Sequence, residues 1–206
     1  FDIRNDTVTF RDLLVGIPIN LEYRDIVLQS IIVIGEWPFA IADSNLTFFN
    51  SNYLFLQPTG SSIVRLNNSH MVEFIPLNYF GTMIFENATW TNAGEIIGDV
   101  PYHSASNSFT IKGSLRISEE LRENLQWKNA FVTREYGVTV TDVDGIPLSG
   151  IVIKINGHHY ITDESGKTKF NVLFDEKNYN QPIKVEGWHG GNLIASQEVD
   201  FFTETP

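Results

Sequence analysis

The sequence predicts an all-β fold of two β-sandwich domains in tandem with one short helix. Hydrophobic residues make up 42% of the chain and aromatic residues 13%, which is enough to bury a substantial core. Apolar and polar residues alternate with a period of two in many short segments, including 15–23 and 109–117. Turns rich in Gly, Pro and Asn separate many of these segments, and strands at that spacing are typical of sandwiches.

The first predicted domain is a sandwich head over residues 13–132, and a separate strand over residues 1–12 precedes it. Besides the two alternating segments, we expect strands at 26–34, 46–56, 62–66, 71–75, 82–86 and 95–100.

The helix is predicted near the end of this first domain. Ser118 is a favourable N-cap, and Glu119 and Glu120 suit the positive end of a helix. Leu121 and Leu125 are four residues apart and therefore share one face.

The second predicted domain spans 133–206 and is a sandwich tail. It opens with an alternating strand near Tyr136, and strands at 168–174, 182–187 and 192–202 follow. An Asp144-Gly145 turn, a Pro-Leu-Ser-Gly step and a Thr-Asp-Glu-Ser-Gly turn punctuate it. This pattern resembles the immunoglobulin-like and prealbumin-like modules of secreted proteins. The resemblance implies a fold and no particular activity.

Charge and composition exclude several classes of function. The net charge is −11 and the sequence has no run of Lys or Arg, so we expect no binding to nucleic acid. No apolar stretch approaches the roughly 20 residues of a membrane helix, so we expect no membrane insertion. The chain begins at Phe1 rather than Met, which suggests either a mature chain after signal removal or a trimmed one.

Four Asn-x-Ser/Thr sequons occur within the first 90 residues, next to strand-like segments. Such sites take N-linked glycans when they lie on the surface of exported proteins. We therefore predict N-glycosylation at Asn5, Asn45, Asn67 and Asn87.

The N-terminal segment alternates large apolar residues with polar ones: Phe1, Ile3, Val8 and Phe10. One interpretation is an ordinary first strand of the head domain. The other is a donor strand that completes the sheet of a neighbouring copy through main-chain hydrogen bonds. Such a joint is head-to-tail and does not close, so it propagates into a fibre.

This apolar start, the sequon-rich β head, the C-terminal module and the lack of cysteine together resemble an archaeal thread-type pilin. Those subunits are similar in architecture to chaperone-assembled bacterial pilins. The resemblance implies a structural subunit of an extracellular filament at the cell surface. It also implies that the partners are other copies of the same chain, joined by donor strands, and N-linked glycans.

No pattern for catalysis or for a cofactor is present. The five histidines form no metal-binding motif, and His158 and His159 are adjacent, so they point to opposite faces of a strand. Asp142 and Asp144 resemble part of a calcium loop, but turn chemistry explains them. We therefore expect no enzyme, no metal and no cofactor. The tryptophans Trp37, Trp90, Trp127 and Trp188 are expected mainly in the core.

Two alternatives stay open. Asn50, Asn67, Asn87 and Asn107 recur at intervals of 17, 20 and 20 residues, which suits a β-solenoid, although the apolar residues around them do not repeat in register. In function, a carbohydrate- or protein-binding adhesin domain and a viral or S-layer coat component share the same composition. Linear polymers would indicate a fibre, a monomer with a ligand would indicate an adhesin, and planar assemblies would indicate a coat.

Overall fold

The computed structural model describes residues 7–12, 14–15, 19–22, 25–33, 39–97, 108–128 and 130–204. These residues confirm the all-β prediction and the single short helix. Their elements, in chain order, are β1 (Thr7–Arg11), β2 (Leu14–Val15), β3 (Ile19–Glu22), β4 (Asp25–Gln29), β5 (Ile32–Val33), β6 (Phe39–Ala42), β7 (Asn45–Phe49), β8 (Leu54–Gly60), β9 (Ile63–Asn67), β10 (His70–Phe74), β11 (Leu77–Tyr79), β12 (Thr82–Ile97), β13 (Ser108–Ile117), α1 (Glu119–Asn124), β14 (Leu125–Lys128), β15 (Phe131–Thr139), β16 (Val152–Ile155), β17 (His158–Ile161), β18 (Lys167–Phe174), β19 (Ile183–His189) and β20 (Asn192–Val199).

The first part of the chain winds into a β-solenoid, because its strands pair in parallel with the strand one turn later. On one face the order is β1, β4, β7, β9, β12 and β13. Equivalent positions on this face recur after 18 to 20 residues between β1 and β12. Each such turn of chain is one rung, and no rung can bury its apolar side chains without its neighbours.

The second long face of the solenoid has the order β3, β6, β8, β10, β12 and β14. The long strand β12 belongs to both faces, since Thr82–Glu86 pairs with β9 and Gly94–Ile97 pairs with β14. A short third ladder joins β2 to β5. Two long ladders thereby link all described rungs by backbone hydrogen bonds, and the third links only the first ones.

Inward-facing side chains of successive rungs stack on one another and form the core. On the first face, two columns are buried: Ile26, Leu46, Val64, Met83 and Ile111 in one, and Leu28, Phe48, Leu66 and Phe85 in the other. Phe39 on β6 meets Phe48 on β7 edge-on, so an aromatic contact connects the two faces, and Phe74 meets Trp90 in the same way within the core.

A sandwich head over 13–132 was therefore the wrong prediction. A parallel solenoid and an antiparallel sandwich both bury every second residue, so period-two alternation does not separate them. The β-solenoid alternative was correct as a fold, but the asparagines that suggested it are not all at equivalent positions. Asn50, Asn68 and Asn87 occupy equivalent corners, Asn67 precedes its corner by one residue, and Asn107 lies outside the described residues.

Rung corners share a left-handed backbone conformation. One column of positive φ angles links successive rungs at Asp12, Ser30, Asn50, Asn68 and Asn87, with φ between 47° and 56°. Asn and Asp tolerate this conformation better than other residues with a side chain. Inter-rung amide bonds follow the same column, for example from Asn50 N to Asn67 O at 3.0 Å.

Helix α1 begins as predicted. The Ser118 hydroxyl accepts a hydrogen bond from the amide of Leu121 at 3.1 Å, which is N-cap geometry. Leu121 is buried and anchors the helix against the solenoid core.

A C-terminal module continues directly from the solenoid. Strand β15 pairs in parallel with β13 and in antiparallel fashion with β18, so the first solenoid face extends into the module. A second antiparallel sheet has the order β17, β16, β19 and β20. Tyr136 and Phe170 stack between the sheets, and Tyr160 packs against Phe170 from the second sheet. The solenoid and the module share one continuous core.

The C-terminal tail returns to the solenoid and covers its last rung. Phe201 and Phe202 are buried, and Phe201 contacts the edge of Trp127 on β14. The guanidinium of Arg122 lies over the Phe202 ring at 4.6 Å. The module therefore caps the solenoid with aromatic side chains as well as with β15.

Candidate functional site

The outer edge of the C-terminal module is an open strand. Among the described residues β20 pairs with β19 alone, so its other edge presents unpaired backbone groups. Every residue from Asn192 to Glu198 is exposed. Natural proteins usually protect such edges, since an open strand is a template for pairing with another chain.

An apolar groove lies beside the first half of β20. It encloses ≈ 500 Å³ between the loop that follows β15 and the start of β20. Its apolar lining comes from Val140, Val143, Leu148, Ile151, Ile194 and Ala195. A strand added along β20 would point every second side chain toward this groove.

Exposed apolar side chains cluster around the same groove. Val143 is fully exposed, and Ile146 and Ile194 are exposed by 59% and 46% of their surface. Val143 and Ile194 line the groove, and Ile146 lies in the same loop. Apolar side chains that are exposed together, rather than singly, mark a surface that binds a partner.

This groove was not predicted from the sequence. The pattern that marks it is the run Leu193-Ile194-Ala195, which follows Gly190-Gly191-Asn192 and contains no alternating polar residue. We predicted that run only as part of a last strand, and its residues are exposed because no further described strand pairs with β20.

The predicted donor segment is only partly described. Phe1 and Ile3 lie outside the described residues. Val8 and Phe10 belong to β1, where they are paired with Ile26 and Leu28 of the same chain. Phe10 is 42% exposed. Strand β1 is thus the first strand of its own solenoid, and Val8 and Phe10 are held in that sheet.

The four predicted glycosylation sites fall in different surroundings. Asn5 lies outside the described residues. Asn45 and Asn67 project from β7 and β9 and are half-buried, whereas Asn87 is exposed at a rung corner. The carboxamide oxygen of Asn45 accepts a hydrogen bond from Arg65 at 2.8 Å. The structure therefore makes one of these sequons much more accessible than the other two.

The aspartates that resembled a calcium loop form hydrogen-bonded turns. Asp142 Oδ1 accepts bonds from the amides of Asp144 and Ile146, each at 2.9 Å. Asp163 Oδ1 accepts bonds from the Ser165 hydroxyl and from the amides of Lys167 and Ser165, and these bonds lower the pKa of Asp163. Among the described residues, no three His, Asp or Glu side chains are grouped as metal ligands would be.

The described histidines are dispersed. His70 lies in the solenoid, where its Nε2 is 2.7 Å from the Thr91 hydroxyl. His158 and His159 are neighbours on β17, and His189 ends β19. His103 lies outside the described residues.

Two of the tryptophans are core residues, as expected. Trp90 and Trp127 are buried. Trp188 is half-buried on β19, with the Lys154 ammonium 4.0 Å from its ring centroid and its N–H donating to Glu186 at 3.0 Å. Trp37 lies outside the described residues.

One buried cation stands at the junction between solenoid and module. Arg134 on β15 is fully buried and donates from Nη1 to the carbonyl of Phe201. Loss of hydration lowers the pKa of Arg134, although Tyr136 and Asp200 favour its charged form. Burial likewise raises the pKa of Tyr136 to about 12. The bond from Arg134 to the Phe201 carbonyl joins β15 to the C-terminal tail.

Comparison with known proteins gives no relative: no protein family, curated protein or solved structure matches this chain. Within the described part of the chain, no helix has both the length and the apolar character needed to cross a membrane.

Proposed function

We propose that this chain is a structural subunit of an extracellular filament at the cell surface, and that copies join head-to-tail by addition of a β-strand. The observation that carries the proposal is the open edge of β20 with the apolar groove beside it. This is the arrangement that strand addition requires: backbone groups for pairing and a groove for alternate side chains.

The occupant that we propose for the groove is the N-terminal segment 1–6 of a second copy. Phe1 and Ile3 alternate there with Asp2 and Arg4, so a strand would direct its two apolar side chains to one face. Strand β1 follows this segment and stays in its own sheet. The donor is therefore shorter than the segment 1–12 that the sequence predicted.

The position of the two partners favours linear growth. Strand β1 is the first strand of the ladder, whereas the groove belongs to the module beyond its last rung. A contact between different surfaces at opposite ends of a subunit does not close on itself, so it generates a filament. The rigid solenoid between them would set the repeat distance.

The test is a complementation experiment. One variant lacks residues 1–6 and has no donor, and another carries Ile194→Lys and Ala195→Lys in the groove. We expect the unmodified chain to form linear polymers in negative-stain electron microscopy and each variant alone to be monomeric by light scattering. A mixture of the two variants is expected to give dimers only, since one intact donor meets one intact groove.

The matched control is Leu173→Lys, which places a charge on an exposed apolar residue of β18 away from the groove. It is expected to polymerise normally. An unmodified chain that stays monomeric at high concentration, or polymers that persist without residues 1–6, would contradict the proposal.

A further inference from the structure

Unlike the other two described sequons, the sequon Asn87-Ala88-Thr89 has its asparagine at a rung corner. Asn87 has a φ of 53°, and the pairing of β12 with β13 shifts register between Phe85 and Ala88. Asn87 is exposed. A sequon at a corner has space on its outer side for a transferase and for a glycan, which a sequon inside a flat parallel sheet lacks.

The other two sequons are tied into the sheet. Asn67 donates from Nδ2 to Glu86 at 2.6 Å, and the hydroxyl-bearing residue of its sequon, Ser69, is buried. The Ser69 hydroxyl accepts the amide of Ser51 at 3.1 Å and donates to the carbonyl of Asn67 at 2.8 Å. Asn45 is the first residue of β7 and its carboxamide oxygen accepts a hydrogen bond from Arg65.

Asn87 is held in an orientation that leaves its amide nitrogen usable. Its backbone amide donates to the Ser114 hydroxyl at 2.7 Å, and its Nδ2 donates to Asn68 Oδ1 at 2.9 Å. A primary carboxamide nitrogen carries two hydrogens. One can keep the bond to Asn68 while the other is replaced by a sugar, so attachment does not break the corner.

A polar cleft adjoins the same side chain. It has a volume of ≈ 190 Å³, and its polar lining comes from Asn87, Thr89, Ser114, Arg116 and Glu204. Arg116 forms an ion pair with Glu204 at 3.5 Å, which joins the solenoid to the C-terminal tail. Hydroxyl, guanidinium and carboxylate groups are the donors and acceptors that bind sugar hydroxyls.

We propose that, of the three described sequons, Asn87 is the one that carries an N-linked glycan and that the first sugar of this glycan sits in the cleft. The donor would be a lipid-linked sugar phosphate. The Asn87 nitrogen bonds to the anomeric carbon, the bond between that carbon and the phosphate oxygen breaks, and the nitrogen releases one proton. The inference shares with the proposed function only the exported location, and its test does not depend on polymerisation.

The first experiment measures occupancy. The full chain is exported from a glycosylating host behind a secretion signal, and its glycopeptides are quantified by mass spectrometry. We expect Asn87 to be occupied at least several-fold more than Asn45 or Asn67, and we expect Thr89→Ala to abolish that modification. Folded, secreted protein with an unmodified Asn87 would overturn the proposal, as would equal occupancy at all three sites.

The second experiment measures whether the folded protein tolerates a sugar at each of the three positions. Since the chain contains no cysteine, Asn87→Cys, Asn67→Cys and Asn45→Cys each provide a single site for a thiol-reactive N-acetylglucosamine. Coupling at position 87 is expected to proceed in the folded protein and to raise Tm, because the sugar fills the cleft. Coupling at 67 or 45 is expected to be slow and to lower Tm by several degrees.

The cleft itself is tested with Arg116→Ala, compared with Lys112→Ala on the same strand. The Arg116 variant is expected to lose any gain in Tm that the sugar at position 87 gives, while the Lys112 variant keeps it. If the sugar at 87 lowers Tm as much as the sugar at 67 does, the cleft is not a sugar subsite.

Discussion

The backbone amide of Ser51 donates to the hydroxyl of Ser69, one rung further along the solenoid, at 3.1 Å. The Ser51 hydroxyl in turn accepts the amide of Ile31 on the preceding rung at 3.2 Å. Both serines are buried at rung corners, where regular strand pairing is interrupted. Each hydroxyl therefore replaces a missing backbone partner, and the column connects three rungs through the interior.

Replacement of Ser51 by Ala tests this column. The amide of Ile31, which is fully buried, loses its acceptor. An unsatisfied buried donor costs about 1–3 kcal/mol of unfolding free energy, and we expect a loss in that range by urea denaturation. Ser149→Ala, at an exposed position of the module, is the control and is expected to change stability by less than about 0.5 kcal/mol. A Ser51 variant as stable as the control would show that the column does not support the solenoid.

Gly113 occupies the corner that follows Asn87 on the last rung, with a φ of 85°. A β-carbon at this position would overlap the carbonyl oxygen of Phe85 on the neighbouring strand. Gly145 has nearly the same φ, 82°, but no atom lies within 4 Å of the corresponding position. A comparison of alanine substitutions at these two glycines therefore separates the free-energy cost of backbone conformation from that of steric overlap.

We expect Gly145→Ala to lose only the conformational contribution, about 1–2 kcal/mol. Gly113→Ala is expected to lose at least about 2 kcal/mol more, because the two strands must move apart. Both variants are compared by thermal and chemical denaturation. Equal losses would contradict a steric cost of the close approach between Gly113 and the Phe85 carbonyl.

The sequence predicted many of the strands of this fold but not how those strands pair. Ile26, Leu46 and Val64 each begin an alternating segment, and the strands around them were predicted. Their equivalence was not predicted, because the rung length varies along the solenoid. The turn of chain from β12 to β13 also differs in length from the earlier rungs. Parallel pairing between rungs is a long-range property that single-strand patterns do not carry.

Local chemistry was more predictable than assembly. The Ser118 cap and the Asp142 and Asp163 turns each depend on side-chain bonds to nearby amides, and all three occur. The groove beside β20 was not predictable in the same way. Its lining joins the loop after β15 to β20, and the edge position of β20 among the described strands follows from the order of all four strands in that sheet.

His70 gives the solenoid a dependence on pH. Burial lowers the pKa of His70 below its ordinary value of 6.5. The unfolded chain therefore takes up a proton at higher pH than the folded chain does, and folding stability falls as pH drops from the ordinary pKa to the folded one. We expect His70→Gln to reduce the loss of stability between about pH 7 and pH 5.

The measurement is the free energy of unfolding by urea as a function of pH. His159→Gln, on the exposed strand β17, shows the effect of removing a histidine outside the solenoid. An unchanged pH profile in the His70 variant would assign the pH dependence to the carboxylates instead.

Arg134 provides the last test, because it separates the charge of a buried side chain from its volume. Its guanidinium lies 5.3 Å from the Tyr136 ring centroid and 5.4 Å from that of Phe201. Its Nε and Nη2 have no hydrogen-bond partner among the described residues. Burial of a cation with incomplete hydrogen bonding is costly, so the charge contributes little net stability even though the side chain fills the junction.

We therefore expect Arg134→Met, which keeps most of the volume, to remain within about 1 kcal/mol of the unmodified chain. Arg134→Ala leaves a cavity under the C-terminal tail and is expected to cost about 2–5 kcal/mol, as truncation of large buried side chains does. Urea denaturation gives both values. If Met is as damaging as Ala, the bond from Arg134 to the Phe201 carbonyl holds the tail in place, and the charge rather than the volume secures the cap on the solenoid.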